Sequence, residues 1–325
     1  MAASLDYRTV MTWGGRRAAT GVLFVAVSVS SLGSPAQGQP VAAFKASVDL
    51  VRVTAVVRDR RGRFVRGLKA RDFEILDAGL QRRISEFRHD LSGVSVALLF
   101  DVSGSMEGLM SHARDAAAQL LGALEGARDE AAVFTFDTRL DEIAPFTVGL
   151  TALPKRLEGV TPFGATSLHD AIAQTAERAA AREGRRRAVV VFTDGNDNFS
   201  RLTPTDVSGI ASRIDVPVYI VGIVSIVDDP AADVGTVLAA HSPFAGALRD
   251  LTAWTGGRTL IASRPAQRHT AGPQIVDELR HQYLMAFESS GTAGWHPLEV
   301  RARGKDLVVR ARSGYIAGQS RPISQ

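Results

Sequence analysis

Asp101, Ser103 and Ser105 occupy alternate positions in Phe100-Asp101-Val102-Ser103-Gly104-Ser105-Met106, directly after an apolar run that starts at Val94. One carboxylate and two hydroxyls, with a glycine between the serines, make a loop lined with oxygen. Two more loops offer the same chemistry. Phe163-Gly164-Ala165-Thr166-Ser167 carries Thr166 just ahead of a helical stretch. Val191-Phe192-Thr193-Asp194-Gly195-Asn196-Asp197-Asn198 carries Asp194 at the end of a second apolar run. Carboxylates and hydroxyls without His or Cys are a hard-cation set, suited to Mg²⁺ or Mn²⁺ rather than Zn²⁺. Asp197 and Asn198 read as loop or capping residues, Asp137 as a surface residue, and Met106 as a packing residue. His112 and His169 read as structural or solvent-facing, and Trp254 as core.

The elements around these loops follow from periodicity. Val94 to Phe100 and Ala188 to Thr193 are continuous apolar runs, as strands covered on both faces require. Ala131 to Phe136 and Val218 to Val224 read as further strands, and Arg258 to Ala262 as a short one. Between them, Met110 to Leu124, Ser167 to Arg182, Thr205 to Ile214, Phe244 to Thr255 and Pro273 to Gln282 read as helices. Gly256-Gly257 stops the fourth helix, and Pro273 stands early in the first turn of the fifth. Strand–helix alternation implies a doubly wound, mostly parallel α/β sheet, in which ligands sit at the carboxyl ends of the strands. The first loop ends the first core strand at that edge, and the two others could join it there.

The flanks read differently. Val48 to Val57, Phe64-Val65, Phe73 to Leu76 and Ile84 to Phe87 precede the α/β block as short strands. Tyr283 to Phe287, Leu298 to Ala302, Leu307 to Ala311 and Tyr315-Ile316 follow it. Neither flank is large enough to bury a core alone, so the expectation is one β-sandwich assembled from both. The organisation is therefore a leader over 1–36, sandwich strands over 37–92, the α/β domain over 93–282, and sandwich strands plus tail over 283–325.

Arg16 and Arg17 precede an apolar run from Ala18 to Leu32, followed by Gly33-Ser34-Pro35-Ala36-Gln37. A basic start, a short apolar core and small residues at Ser34 and Ala36 describe a secretory signal peptide cleaved after Ala36, or failing that after Gly38. The run falls short of the roughly 20 residues that span a bilayer. The chain is expected to be exported, periplasmic or secreted, with no membrane span after leader removal; the lesser alternative is an uncleaved leader that anchors it to the membrane.

Composition narrows the chemistry further. Among 325 residues there is no cysteine, which excludes disulfides, thiolate metal sites and a cysteine nucleophile. The net charge is +4, from 38 basic and 34 acidic residues. So small an excess gives no nucleic-acid footprint. The densest basic stretch, Arg58 to Arg71, reads as a solvated hairpin rim.

At this point the chain resembles a known family. Asp101-x-Ser103-x-Ser105, Thr166 in Gly-Ala-Thr and Asp194 in Thr-Asp-Gly match the five positions of the metal-ion-dependent adhesion site of von Willebrand factor type A domains. The resemblance runs from about Val94 to Gln282. Asp72-Phe73-Glu74-Ile75, Tyr283 after Arg280-His281-Gln282, and Arg310-Ala311-Arg312-Ser313-Gly314-Tyr315 resemble a group of exported bacterial proteins related to that family. The resemblance implies that Ser103, Ser105 and Thr166 touch a Mg²⁺ or Mn²⁺ ion directly, and that Asp101 and Asp194 act directly or through water. It also implies a non-catalytic protein whose ion accepts an Asp or Glu from a protein partner. Two alternatives remain. The Asp-x-Ser-Gly-Ser loop resembles the Asp-x-Asp-Gly-Thr loop of Mg²⁺-dependent phosphatases of the haloacid dehalogenase type, though Ser103 cannot serve as the general acid there. The module could otherwise be structural, with a vestigial metal site.

Overall fold

Alternation of buried and exposed residues builds the first strands, and unbroken burial builds the central ones. The computed structural model describes residues 50–89, 93–182, 184–213, 215–225, 244 and 246–317; the leader expected over 1–36 lies outside them. The described residues belong to one compact unit, Ser47–Gln325. In chain order come β1 (Leu50–Arg58), β2 (Phe73–Asp77), β3 (Leu80–Arg82), β4 (Ile84–Arg88) and β5 (Val94–Asp101). Then follow α1 (Met110–Gly122), β6 (Glu130–Phe136), β7 (Leu140–Val148), α2 (Lys155–Glu158), α3 (Leu168–Ala180) and β8 (Arg186–Thr193). Next are α4 (Pro204–Arg213), β9 (Val218–Gly222), α5 (Ala247–Thr255), β10 (Thr259–Ile261) and α6 (Pro265–Arg280). The chain returns to strands with β11 (Gln282–Glu288), β12 (Gly294–Ala302), β13 (Val308–Ala311) and β14 (Gly314–Ala317).

The central sheet has the order β10-β9-β8-β5-β6-β7. Its pairings are parallel except β6 with β7. Every residue of β5 is buried. Its side chains alternate between two cores, as the period of two demands. Val96, Leu98 and Phe100 pack with α1 and α6 on one face; Ala97 and Leu99 pack with α3, α4 and α5 on the other. The chain leaves β5 for β6 on one side and later enters β8 on the other side, so the strand order reverses at β5. A doubly wound α/β sheet, as expected, is the centre of the fold.

The two flanks interleave. One four-stranded sheet has the order β13-β1-β11-β4 and a second β14-β12-β2-β3. Each therefore mixes strands from before and after the α/β block. β1 runs antiparallel to β11 from Leu50↔Glu288 to Val56↔Gln282, and β2 to β12 from Phe73↔Ala302 to Asp77↔Leu298. Val53, Phe73, Ile75, Tyr283, Phe287 and Tyr315 share one buried cluster. The Tyr283 hydroxyl donates to Val65 O at 2.8 Å and accepts from Leu68 N at 3.3 Å. The 64–68 segment is thereby tied to β11.

Several expectations need correction. Phe64-Val65 is not a strand; Phe64 forms only an isolated bridge with Arg58. β3 and β7 were not anticipated. The last helix begins at Pro265, not near Pro273, which lies inside it. The start is set by Gln267 Oε1, which accepts from Arg264 N at 2.8 Å, and by Pro265 at a first-turn position where no amide donor is needed. Trp254 is half-buried rather than core, with its ring 5.7 Å from the ring of Trp295. The basic residues from Arg60 to Arg71 are exposed, as a solvated rim should be; Arg60 and Arg63 pair at the surface with Asp306 and Asp59, and Arg58 is tied inward, to Glu278. α5 ends as expected at Gly256, whose φ of 86° is the left-handed cap that glycine adopts without strain. No helix among the described residues is long and apolar enough to cross a membrane.

Candidate metal centre

β5 ends in Asp101, which is fully buried. Its Oδ1 accepts from Ser103 N at 2.9 Å, which closes the loop on itself. Its Oδ2 accepts from the Thr193 hydroxyl at 2.6 Å, which ties the end of β5 to the end of β8. Thr193 Oγ1 in turn accepts from Gly195 N at 3.0 Å. The Ser103 and Ser105 hydroxyls lie 3.1 Å apart, with Ser103 buried and Ser105 exposed. Met106 sits fully buried below them.

Backbone bonds fasten the second loop to the first and the third to the second. Phe163 N donates to Val102 O at 2.9 Å, and Gly104 N to Gly164 O at 3.1 Å. Thr166 N donates to Asn198 Oδ1 at 2.8 Å, while Asn198 N and Phe199 N both donate to Thr166 O. Asp194 Oδ1 accepts from Asn196 N and its Oδ2 from Asn196 Nδ2, at 3.1 and 2.9 Å. Asp101, Ser103, Ser105, Thr166 and Asp194 thus stand on three loops stitched side by side at the carboxyl ends of β5 and β8, the edge where a doubly wound sheet holds ligands.

Asp197 and Asn198 serve the loop, as the sequence suggested. Asp197 accepts from His169 N, Phe199 N and Ser200 N, and its carboxylate pairs with His169 Nδ1. Burial raises the Asp197 carboxyl, but the His169 and Ser200 hydrogen bonds outweigh it and hold the group well below the usual carboxylate range. Asp137 is half-buried, and its carbonyl takes Ser167 N at 2.7 Å at the start of α3. The particular partners were missed: Thr193 with Asp101, Asn198 with Thr166, and His169 with Asp197. Their signal is three-dimensional, since Thr193 meets Asp101 across 92 residues of chain.

The residues fit a hard divalent cation. Burial pushes the Asp101 carboxyl up to about 6, against the pull of hydrogen bonds from Ser103 and Thr193, and the nearby Asp194 charge adds to the rise. That pocket of negative charge is balanced by no Lys, Arg or His contact to Asp101 among the described residues. The Thr166 hydroxyl has no hydrogen-bond partner among the described residues, although the residue is only 2% exposed. Two under-compensated carboxylates with free hydroxyl lone pairs suit an ion that tolerates neutral oxygen ligands and retained water. Among the described residues there is no group of three or more His, Asp or Glu side chains that could hold a metal, so any site here depends on hydroxyls.

A separate cavity of about 480 Å³ opens at the amino end of β5, lined in part by Arg66, Val94, Asp129, Arg280 and His281. Its groups pair with one another: Arg280 with Asp129 at 2.8 Å, and Arg66 Nε with His281 Nε2 at 2.7 Å.

Residues 96–196 match the family described as von Willebrand factor type A domain. That stretch runs from within β5 to just past the end of β8 and includes Asp101, Ser103, Ser105, Thr166 and Asp194. The match ends within the central α/β part, and the rest of the chain lies outside it. No curated protein matches the chain. Among solved structures, it is similar to an aerotolerance-related membrane protein from Bacteroides fragilis at 20% identity, covering 57% of this chain and 98% of that one, with a TM-score of 0.46. The conserved hypothetical protein BatB from Bacteroides thetaiotaomicron gives 19% identity, the same coverages and a TM-score of 0.44. Proximal thread matrix protein 1 from the mussel byssus, in a structure described as having a zinc-occupied MIDAS motif, gives 17% identity, 63% and 50% coverage, and a TM-score of 0.41.

Proposed function

We propose that this chain is a non-catalytic adhesion or assembly protein. In this reading Asp101, Ser103, Ser105, Thr166 and Asp194 hold Mg²⁺ or Mn²⁺, and the ion accepts an Asp or Glu carboxylate from a protein partner. The observation that carries it is the stitching of the three loops, Gly104 N to Gly164 O, Asn198 Oδ1 to Thr166 N and Thr193 Oγ1 to Asp101 Oδ2. It gathers oxygen donors spread over nearly a hundred residues, with no cationic side chain among the described residues bonded to Asp101. When bound, the ion would supply a Lewis-acidic position for an anionic oxygen. The chain's own residues would orient it and leave one side open, since Ser105 is exposed while Ser103 and Thr166 are buried. Ion and partner would each raise the other's affinity.

The reading includes export through the 1–36 leader, and a type A domain over 93–282 inserted between sandwich strands of 37–92 and 283–325. Isothermal titration with MgCl₂ and MnCl₂ tests the centre. Binding heat is expected for the mature chain and a loss of at least tenfold in affinity for Thr166→Ala. No heat from the unaltered chain sinks the reading. A pull-down from the native envelope fraction, with and without EDTA, then tests the partner.

A further inference from the structure

Among the described residues only two phenylalanines are exposed, Phe163 at 81% and Phe199 at 59%. Both stand on the loops of the candidate metal centre. Phe163 lies three residues before Thr166, with its amide fixed on Val102 O between Asp101 and Ser103. Phe199 lies five residues after Asp194, with its amide fixed on Thr166 O. One ring therefore flanks the centre from the second loop and the other from the third. Backbone bonds to residues at or beside the donors hold both attachment points. A single exposed apolar side chain is ordinary. Here both exposed phenylalanines among the described residues border one polar centre, and each leaves apolar surface in water where it could have been packed away.

The charge around them points the same way. Arg139 and Arg201 are both exposed, and neither guanidinium has an ion-pair or hydrogen-bond partner among the described residues. Arg139 follows Asp137, whose carbonyl holds the amide of Ser167 next to Thr166. Arg201 is two residues beyond Phe199, and its amide is fixed on the Asp170 carboxylate. Positive side chains, exposed apolar rings and oxygen donors thus stand together on one cluster of bonded loops. It complements an acidic segment that brings apolar side chains with its carboxylate.

The geometry points to a docking face for an extended acidic protein segment whose metal-seeking Asp or Glu is flanked by large apolar side chains that pack on Phe163 and Phe199. This rests on the metal reading above and specifies its partner. The carboxylate supplies orientation, the rings supply contact area, and the two arginines supply long-range attraction that salt screens.

The test uses the full mature chain and arrayed peptides with a central Leu-Asp-Leu, Ser-Asp-Ser or Leu-Asn-Leu, each in Mg²⁺ and in EDTA, beside isothermal titration of Mg²⁺ alone. Retention on Leu-Asp-Leu in Mg²⁺ is expected to exceed that on the other two peptides. Phe163→Ser and Phe199→Ser should each cut that retention roughly tenfold, the effect of losing one buried large apolar contact, and leave Mg²⁺ affinity within twofold. An unaltered Leu-Asp-Leu preference in the double variant overturns the proposal. So does equal retention on Leu-Asp-Leu and Ser-Asp-Ser, or a metal-independent self-association that the double variant abolishes. Absence of Mg²⁺ heat from the unaltered chain instead fails the underlying metal reading. Mg²⁺ binding with no peptide preference fails only this one.

Discussion

Thr166 and Asn198 show how a donor is held in place by a residue that touches no ion. Asn198 Oδ1 takes the Thr166 amide while Thr166 O takes two amides from the third loop, so the two loops are clasped in both directions. Removing the side chain leaves an amide without its acceptor, which costs about 1–3 kcal/mol where water cannot replace it. Asn198→Ala is expected to lower the thermal midpoint by a few degrees and to weaken Mg²⁺ several-fold by titration, although every proposed ligand is intact. Asn198→Asp, which keeps an acceptor oxygen, should recover the stability. Equal Mg²⁺ affinities in the unaltered chain and Asn198→Ala would show that the clasp does not matter to the centre. That three oxygen-bearing loops border the sheet was legible in sequence, because two of them close apolar runs and the other opens a helix. The clasp was not, because an asparagine in such a loop has no preferred long-range partner until the fold supplies Thr166.

At the scale of elements, burial explains what could and could not be read. β5 and β8 are covered on both faces, so their composition alone marks them. β7 is an edge strand with only half-buried and exposed positions, and it carries Asp141, Glu142 and Pro145, residues that suit an edge and blur the pattern. α6 was truncated in the reading because Pro273 looks like a start, whereas packing against α1 carries the helix through it. That packing is close. A Cβ on Gly272 would stand 2.6 Å from both the backbone nitrogen and the Cβ of Leu120 in α1. Helix propensity favours alanine over glycine by about 1 kcal/mol, but forcing α1 and α6 apart costs about 1–3 kcal/mol. Gly272→Ala should therefore lower the urea midpoint, while Gly122→Ala, with nothing within 4 Å of its Cβ, should hold or raise it. A second element-scale device joins β5, β6 and the end of α3. Glu130, 1% exposed, accepts from Ser95 Oγ at 2.8 Å and from Arg182 Nε and Nη2 at 2.7 and 2.6 Å. Burial raises its carboxyl, but those hydrogen bonds outweigh it and hold the group below its ordinary 4.5. A depressed acid contributes stability that is complete above its unfolded value and is lost as pH falls through the folded one. Glu130→Gln should then be less stable than the unaltered chain at pH 7, with the difference shrinking below about pH 4.5 in urea melts taken across pH. A difference that stays constant down to pH 3 would remove Glu130 from the acid response.

Across the whole molecule, the question is what fastens the sandwich strands to the α/β layers between them. The pairing of β1 with β11 and β2 with β12 could not be read from short strands separated by more than 200 residues, because many registers satisfy the same alternation. What fixes the junction is ionic as well as apolar. Glu278 on α6 is 1% exposed and meets Arg58 of β1 at 2.9 Å, Arg258 ahead of β10 at 3.0 Å, and Arg310 of β13. Arg310 also donates to Gly256 O and Gly257 O, each at 2.9 Å, just past the end of α5. One carboxylate thus anchors two sandwich strands and a connection of the α/β block to the same helix. Deleting it leaves three guanidiniums crowded without their anion, and breaking a buried pair in this way costs about 3–5 kcal/mol. Glu278→Ala is accordingly expected to lower the urea midpoint more than either Arg58→Ala or Arg310→Ala. It should also separate two probes that coincide in the unaltered chain: fluorescence of the Trp254–Trp295 pair, which spans α5 and β12, should change before helical circular dichroism does. Coincident transitions at an unchanged midpoint would mean that the apolar contacts alone unite the sandwich with the sheet that carries the candidate metal centre.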